Sequence, residues 1–122
     1  MKFTDSHEWI EWEGKDVARV GITPYAQKEL GDIVYIELPI VGKQVNAKQE
    51  VAVLESTKAA ADIYSPVSGI IVAVNEKLRT NPEQVNQSPE QEGWIYKIQL
   101  SDPAEIDLLM DQAEYQALLN GA

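Results

Sequence analysis

One lysine stands apart by its setting. Lys58 lies in the run Val51-Ala52-Val53-Leu54-Glu55-Ser56-Thr57-Lys58-Ala59-Ala60-Ala61-Asp62-Ile63-Tyr64, an apolar stretch, a short polar break and a return segment. If the two arms are strands, the break is a tight connection that holds an ammonium on a four-carbon stem out in solvent. A primary amine presented in this way can be acylated with loss of its charge, and so can carry a covalent cofactor arm. The competing local reading is helical. Ala59, Ala60 and Ala61 are strong helix formers, and Glu55 to Asp62 would fill two turns. Alternation over so short a segment does not separate strand from helix. A lone lysine is by default an ordinary solvated one, so the surrounding motif has to carry the reading.

Other chemistry is hard to assemble. The chain has no cysteine, which removes disulfides, thiolate metal sites and a cysteine nucleophile. His7 is the only histidine, too few for a zinc site of the usual kind, and no serine is paired with it in a triad pattern. No glycine-rich phosphate loop occurs. The pairs Glu11/Glu13 and Glu90/Glu92 fit a solvated face, and Trp9, Trp12 and Trp94 fit core or rim packing. A catalytic constellation is missing, and the chain reads as a carrier rather than an enzyme.

Twenty acidic residues against ten basic ones give a formal charge of -10. That field repels nucleic acid and anionic membrane surfaces and suits solubility or docking onto basic protein patches. With 122 residues the chain is expected to form one domain, 1–122, able to bury about two thirds of its unfolded surface. Met1 to Glu8 has neither an apolar signal core nor Arg-rich transit character, and no run reaches membrane-spanning length. Cytoplasmic residence is the expectation, and nothing calls for an obligate oligomer, so a monomer is expected.

The elements that must position Lys58 follow from turns and alternation. Trp9 to Trp12 alternates, Gly14-Lys15-Asp16 is a turn, and Val17 to Ile22 is the return strand of a hairpin. Thr23-Pro24 reads as a cap and first helical residue, with Gly31 as the stop, giving a helix over 24–30. A strand over 32–38 ends at Pro39. Ser65-Pro66-Val67-Ser68-Gly69 is a turn signal in which Gly69 is expected to serve the turn, and 69–74 is a β-branched strand. Asn81-Pro82-Glu83-Gln84 has capping spacing for one helical turn. Trp94 to Leu100 alternates as a half-buried strand. Asp102-Pro103 opens a helical pattern through Ile106, Leu109, Met110, Ala113, Tyr115, Leu118 and Leu119 that could break near Asp111. Many short strands with turns between them predict a mostly β sandwich or flattened barrel, with a C-terminal helix over one side. Weak similarity between the segments before and after Lys58 hints at two related halves.

Read together, Glu55-Ser56-Thr57-Lys58-Ala59, Asp62-Ile63-Tyr64-Ser65-Pro66-Val67-Ser68-Gly69 and Val74-Asn75 resemble the lipoyl-attachment signature of the glycine cleavage system H protein family. Ser6-His7-Glu8-Trp9 resembles the family's opening motif. Gly21-Ile22-Thr23, Ala26-Gln27, Leu30 to Val34 and Glu37-Leu38-Pro39 follow in order, then Glu92 to Ile98 and Glu114-Tyr115. The resemblance covers essentially the whole chain. It implies a lipoyl/biotinyl-type hybrid barrel-sandwich of two antiparallel sheets with short helices, Lys58 on the hairpin between two strands, and lipoate in amide linkage on that lysine. It also implies a role for the arm. The arm takes an aminomethyl group from the pyridoxal-phosphate glycine decarboxylase (P protein) and presents it to the tetrahydrofolate-dependent aminomethyltransferase (T protein). Dihydrolipoyl dehydrogenase (L protein) then reoxidises it. Glu55, three residues before the lysine, is implied as a recognition group for the lipoate-protein ligase or octanoyltransferase. Ser6, Glu8 and Asp62 match a cleft that shelters the loaded arm, their carboxylates holding its nitrogen in the charged form.

Thr57 stands where the family often has valine and Ile70 where it often has glutamate, and the loop Ser88 to Gln91 is unusual. These departures touch docking detail. Four rivals share parts of the pattern. A biotin carrier resembles methionine, not Thr57 and Ala59, beside its lysine, and a lipoyl domain of a 2-oxoacid dehydrogenase leads into a Pro/Ala-rich linker. A lipoylated relay or regulatory H-like protein, not engaged in glycine oxidation, needs the same hairpin. A purely structural module needs no modification.

Overall fold

The computed structural model describes residues 1–121. Nine strands run in chain order as β1 (Lys2–Phe3), β2 (Glu8–Gly14), β3 (Val17–Ile22), β4 (Ile33–Glu37), β5 (Gln44–Val45), β6 (Glu50–Ser56), β7 (Ala60–Tyr64), β8 (Gly69–Val74) and β9 (Tyr96–Leu100). Three short helices, α1 (Pro24–Leu30), α2 (Gln84–Gln87) and α3 (Gln112–Leu119), and two 3-10 turns, Glu76–Arg79 and Pro103–Leu108, connect or flank them. The strands form two antiparallel sheets, one of six in the order β1-β2-β3-β9-β8-β5 and one of three in the order β4-β6-β7. Among the described residues no helix is long and apolar enough to cross a membrane.

Alternation explains the core. Ala18, Val20 and Ile22 of β3, Ile71 of β8 and Ile98 and Leu100 of β9 turn inward from the large sheet. They meet Ile36, Leu54 and Ile63 of the small one, and all are buried. A separate aromatic cluster of Phe3, Trp9 and Tyr115 ties the N-terminal strands to α3. Fully burying side chains of this size contributes about 2–3 kcal/mol each before the entropy of ordering them is counted.

The helix over 24–30 forms as the sequence predicts. The Thr23 hydroxyl accepts from the Ala26 N–H, Pro24 sits in the first turn, and Gly31 closes the helix at φ 80°. The Lys58 segment is β6–turn–β7, so the alanines do not form a helix. Cross-strand pairing of Leu54 with Ala61 and Val53 with Asp62 overrides their local preference.

Three expectations are corrected. The segment after Pro103 is a 3-10 turn and not α-helix, although the break falls near Asp111 as expected and the α-helix begins at Gln112. Met110 explains the interruption. Its N–H and C=O are taken by the main chain of Phe3, at 3.0 and 2.8 Å, which holds the chain extended there. Asp111 then caps α3 in a reciprocal box with Glu114. Asn81 does not cap α2; its carbonyl takes the Gln84 N–H, and the cap position falls on Glu83 without a side-chain bond. The two-residue strands β1 and β5 are too short to leave an alternation signal. Gly69, lastly, is not needed for the turn.

Gly69 opens β8 with no left-handed φ. A Cβ there would lie 2.0 Å from the main-chain oxygen of Gln99 in the adjoining β9. The residue is glycine because two backbones approach too closely for any side chain. Gly69→Ala is expected to lower stability by about 3 kcal/mol, since main chain cannot swing aside as a side chain can. Urea unfolding of the variant, with fluorescence of the buried Trp9 as signal, checks this.

Candidate functional site

Lys58 stands at the tip of the β6–β7 hairpin, exposed, and no carboxylate among the described residues pairs with it. The turn beneath it is closed by one side chain. The Ser56 hydroxyl accepts from the N–H groups of Lys58 and Ala59, at 3.1 and 3.0 Å, and donates to the Ala59 carbonyl at 3.1 Å. The Ser56 N–H reaches the same carbonyl at 2.8 Å. Serine does this well because one short hydroxyl can accept and donate within four residues.

The tip also leans on the rest of the molecule. The Thr57 N–H donates to the Asp32 carbonyl at 3.1 Å. Asp32 sits in the connector from α1 to β4, which Asn86 of α2 clamps. Its Oδ1 accepts from the Ile33 N–H at 2.8 Å, and its Nδ2 donates to the Gly31 carbonyl at 2.8 Å and to Gln27 Oε1 at 3.0 Å. Asn86 leaves no mark in the sequence, since an amide in a short polar helix carries no signal of its own. Gly31 does more than stop the helix. A Cβ on Gly31 would lie 2.8 Å from Lys58 Cε, so the absent side chain is the bed on which the lysine stem lies.

A groove of about 320 Å³ lies between α1 and the free edge of β7. Ser6, His7, Tyr25, Ala26, Leu30 and Ile63 are among its walls. Leu30 and Ala61 mark one end of its lining; Gly31 follows Leu30 there, and the Lys58 stem lies over Gly31. The structure brings Ser6 and Glu8 together. Ser6 Oγ donates to Glu8 Oε1 at 2.6 Å, as does Thr4 Oγ1 at 2.6 Å, and Glu8 Oε2 accepts from the Tyr64 N–H at 3.3 Å. Glu8 is 1% exposed. Its carboxylate lines a second hollow of about 260 Å³ beside Lys48 and Met110, while Ser6 lines both spaces. Glu8 therefore faces the groove through Ser6.

Asp62 meets the groove differently. Along an edge strand main-chain groups alternate in direction. The Tyr64 N–H points away from β6 towards Glu8, so two residues earlier the Asp62 N–H and C=O point the same way, into the groove. Its carboxylate lies towards Glu50 and pushes the Glu50 carboxyl above its usual range, with Glu37 adding to the effect. Glu55 is exposed on the same small sheet, paired with Tyr35 and Ala60. Among the described residues no cluster of acidic residues and histidine is placed to hold a metal ion.

Two separate antiparallel sheets, with an exposed lysine at the tip of the β6–β7 hairpin of the smaller one, are the arrangement of a hybrid barrel-sandwich of the lipoyl/biotinyl type. The family model for the glycine cleavage H-protein matches residues 1–122, and the chain belongs to that family, whose members are the lipoate-carrying component of the glycine cleavage system. A glycine cleavage system H protein of Thermotoga maritima is 54% identical over 115 residues, 94% of this chain and 92% of that one. One from Methylacidiphilum infernorum is 54% identical over 117 residues, 96% and 91% of the two chains. The crystal structure of a glycine cleavage system H protein from Mycobacterium marinum superposes with a TM-score of 0.87 at 36% identity, covering 99% of this chain and 96% of that one.

Burial raises the Glu8 carboxyl above its ordinary value of 4.5, opposed by hydrogen bonds from Ser6, Thr4 and the Tyr64 main chain. The folded state thus holds this proton more tightly than the unfolded chain. The contribution of Glu8 to stability is greatest below 4.5 and declines as pH rises through the folded value. Carbon-13 NMR of the Glu8 carboxyl is expected to give a midpoint above 4.5, and the Glu8→Gln variant is expected to lose the decline in stability across that window.

Proposed function

We propose that Lys58 carries lipoate in amide linkage and that the chain, as a single carrier domain over 1–122, shuttles the aminomethyl group of glycine between the partner enzymes of glycine cleavage. The observation that carries this is the placing of Lys58. An exposed amine on a turn locked by Ser56 and Asp32 lies over a glycine without a side chain, at the end of a groove. When bound, lipoate would supply a dithiolane that accepts the aminomethyl group and is afterwards reoxidised. The local residues fit such an arm, because Gly31 leaves room along the lysine stem and Ala59 and Ala60 leave the amine open to an acylating enzyme. Acylation removes the charge of Lys58, and tethering raises the effective concentration of whatever the arm carries.

Glu55 serves recognition by the lipoate-protein ligase or octanoyltransferase, since it is exposed beside the hairpin and has no ion-pair partner among the described residues. Ser6, Glu8 and Asp62 shelter the loaded arm. The Ser6 proton is given to Glu8, which leaves the Ser6 oxygen free to accept from a cationic amine. The buried carboxylate behind it then steadies the positive charge without being exposed. Asp62 adds main-chain groups along the opposite wall. Glycine decarboxylase, the aminomethyltransferase and dihydrolipoyl dehydrogenase are the docking partners, and the excess of carboxylates suits basic patches on them. We read the protein as a cytoplasmic monomer without nucleic acid or membrane partners.

Intact mass spectrometry of the native protein is expected to show one lipoyl group per chain, absent from Lys58→Arg. That variant should keep the wild-type unfolding midpoint and lose at least ~100-fold in reconstituted glycine cleavage, the scale of effect expected when tethering is removed. A biotinyl mass, or none, overturns the reading. Ser6→Ala combined with Glu8→Gln is expected to speed formaldehyde release from the loaded chain several-fold; unchanged release removes the sheltering role.

A further inference from the structure

The Glu114-Tyr115 pair and His7 match motifs of the family but have no assigned role in carrying or sheltering the arm, and the structure brings Tyr115 and His7 together. The capping box of α3 uses Glu114 to fix the start of the helix, through bonds of 2.8 and 3.1 Å with Asp111. The next residue, Tyr115, is thereby turned inward and buried, with its ring stacked on Phe3 at 4.7 Å and 7°. Its hydroxyl lies 2.7 Å from Thr23 Oγ1 and 2.8 Å from His7 Nδ1.

The directions of these two bonds follow from proton bookkeeping. Thr23 is fully buried, and its oxygen already accepts from the Ala26 N–H. Its own hydrogen has Tyr115 Oη as the acceptor within reach, and leaving it unpaired would cost about 1–3 kcal/mol. Thr23 therefore donates to Tyr115, and Tyr115 donates to His7 Nδ1. A ring nitrogen that accepts is unprotonated, so His7 is neutral and carries its proton on Nε2. Nε2 has no hydrogen-bond partner among the described residues, and the ring is part of the groove wall. Burial favours the same neutral form, while the nearby Asp5 and Glu29 oppose it; Tyr25 packs on the ring at 4.7 Å.

His7 also has a left-handed backbone, φ 71°, rare for a residue other than glycine. That turn is what lets Ser6 face the groove while Glu8 goes into the core. It is held by the His7 N–H to the Thr4 carbonyl at 3.2 Å and by the Thr23 N–H to the His7 carbonyl at 3.0 Å, with Tyr115 as the third anchor.

We propose that Tyr115 is a positioning residue for the groove: by donating to His7 Nδ1 it keeps His7 as the neutral Nε2–H form and pins the Ser6–Glu8 turn against the edge of β7. This rests on the carrier reading for its consequence. A charged imidazolium in the groove wall would repel the cationic amine that Ser6 and Glu8 accept, whereas a neutral ring offers only an N–H donor.

The test is Tyr115→Phe, which keeps the ring stack on Phe3, with Thr23→Ser, which keeps the hydroxyl, as control. In the unlipoylated chain, nitrogen-15 NMR of the His7 ring is expected to show a single Nε2–H tautomer for wild type and Thr23→Ser, and a tautomer mixture for Tyr115→Phe. The Thr23 amide should also exchange several-fold faster in Tyr115→Phe. In the lipoylated, loaded chain the same variant should release formaldehyde several-fold faster, with an unchanged rate of lipoylation. An unchanged tautomer overturns the proposal whatever the arm does. A changed tautomer with unchanged release, in a chain shown by mass to be lipoylated, overturns the positioning role. Absence of lipoylation in every variant counts against the carrier reading, while the tautomer still decides the contact.

Discussion

The turn closed by Ser56 is the constraint on which the rest of the molecule's use depends. An exposed lysine is ordinarily a mobile one, because its stem has many rotamers and nothing in water to select among them. Here the backbone under it is held by a hydroxyl that bonds within the turn and by a main-chain bond from Thr57 to Asp32. The amine stays free while its base is fixed. A carrier arm needs that combination, since a loose base would spread the arm over many directions and dilute the tethering effect.

Rigidity at the tip is imported from outside the hairpin. Asp32 can accept from Thr57 only because Asn86 holds the connector on either side of it. Asn86 in turn sits on a helix of a single turn, which would be marginal alone. The packing of Val85 in the main core keeps that turn in place. Stability of the body is thereby transmitted to an exposed residue through four short polar contacts, with no apolar burial at the tip itself.

The groove beside α1 has a different logic. Behind its Ser6 end lies a buried carboxylate, that of Glu8, with no ion pair among the described residues and satisfied by two hydroxyls and one main-chain N–H. Such a group is costly to bury, and the left-handed turn at His7 adds a further cost of about 1–3 kcal/mol. The aromatic cluster of Phe3, Trp9 and Tyr115, with its bonds between the Phe3 and Met110 main chains, supplies the packing that holds both in place. The C-terminal helix thus acts on the opposite end of the chain, and through it on the groove.

Much of this was legible from residue types and order. The hairpin Trp9–Ile22, the helix capped by Thr23 and stopped by Gly31, and the sheet-rich architecture follow from alternation and turn chemistry, which are local. Lys58, Glu55, Ser6, Glu8 and Asp62 stand out by motif order; in the structure Ser6 bonds Glu8 and shares a groove wall with Asp62, while Glu55 stands apart. The remainder depends on contacts between residues distant in the chain. The alanines after Lys58 adopt a strand because β6 lies beside them; the helix pattern after Pro103 breaks because Phe3 takes the Met110 main chain; Gly69 is glycine because Gln99 lies against it. Asn86, Thr23 and Tyr115 earn their roles from partners more than fifty residues away. Residue types and order set most of the strands and the capped helix and point to Lys58 as the candidate amine, through short-range sterics and hydrogen bonding. Which polar groups surround that amine, and which way Asp62 and Glu8 face, was decided only by tertiary packing, since a side chain's partners depend on where the fold puts the other end of the chain.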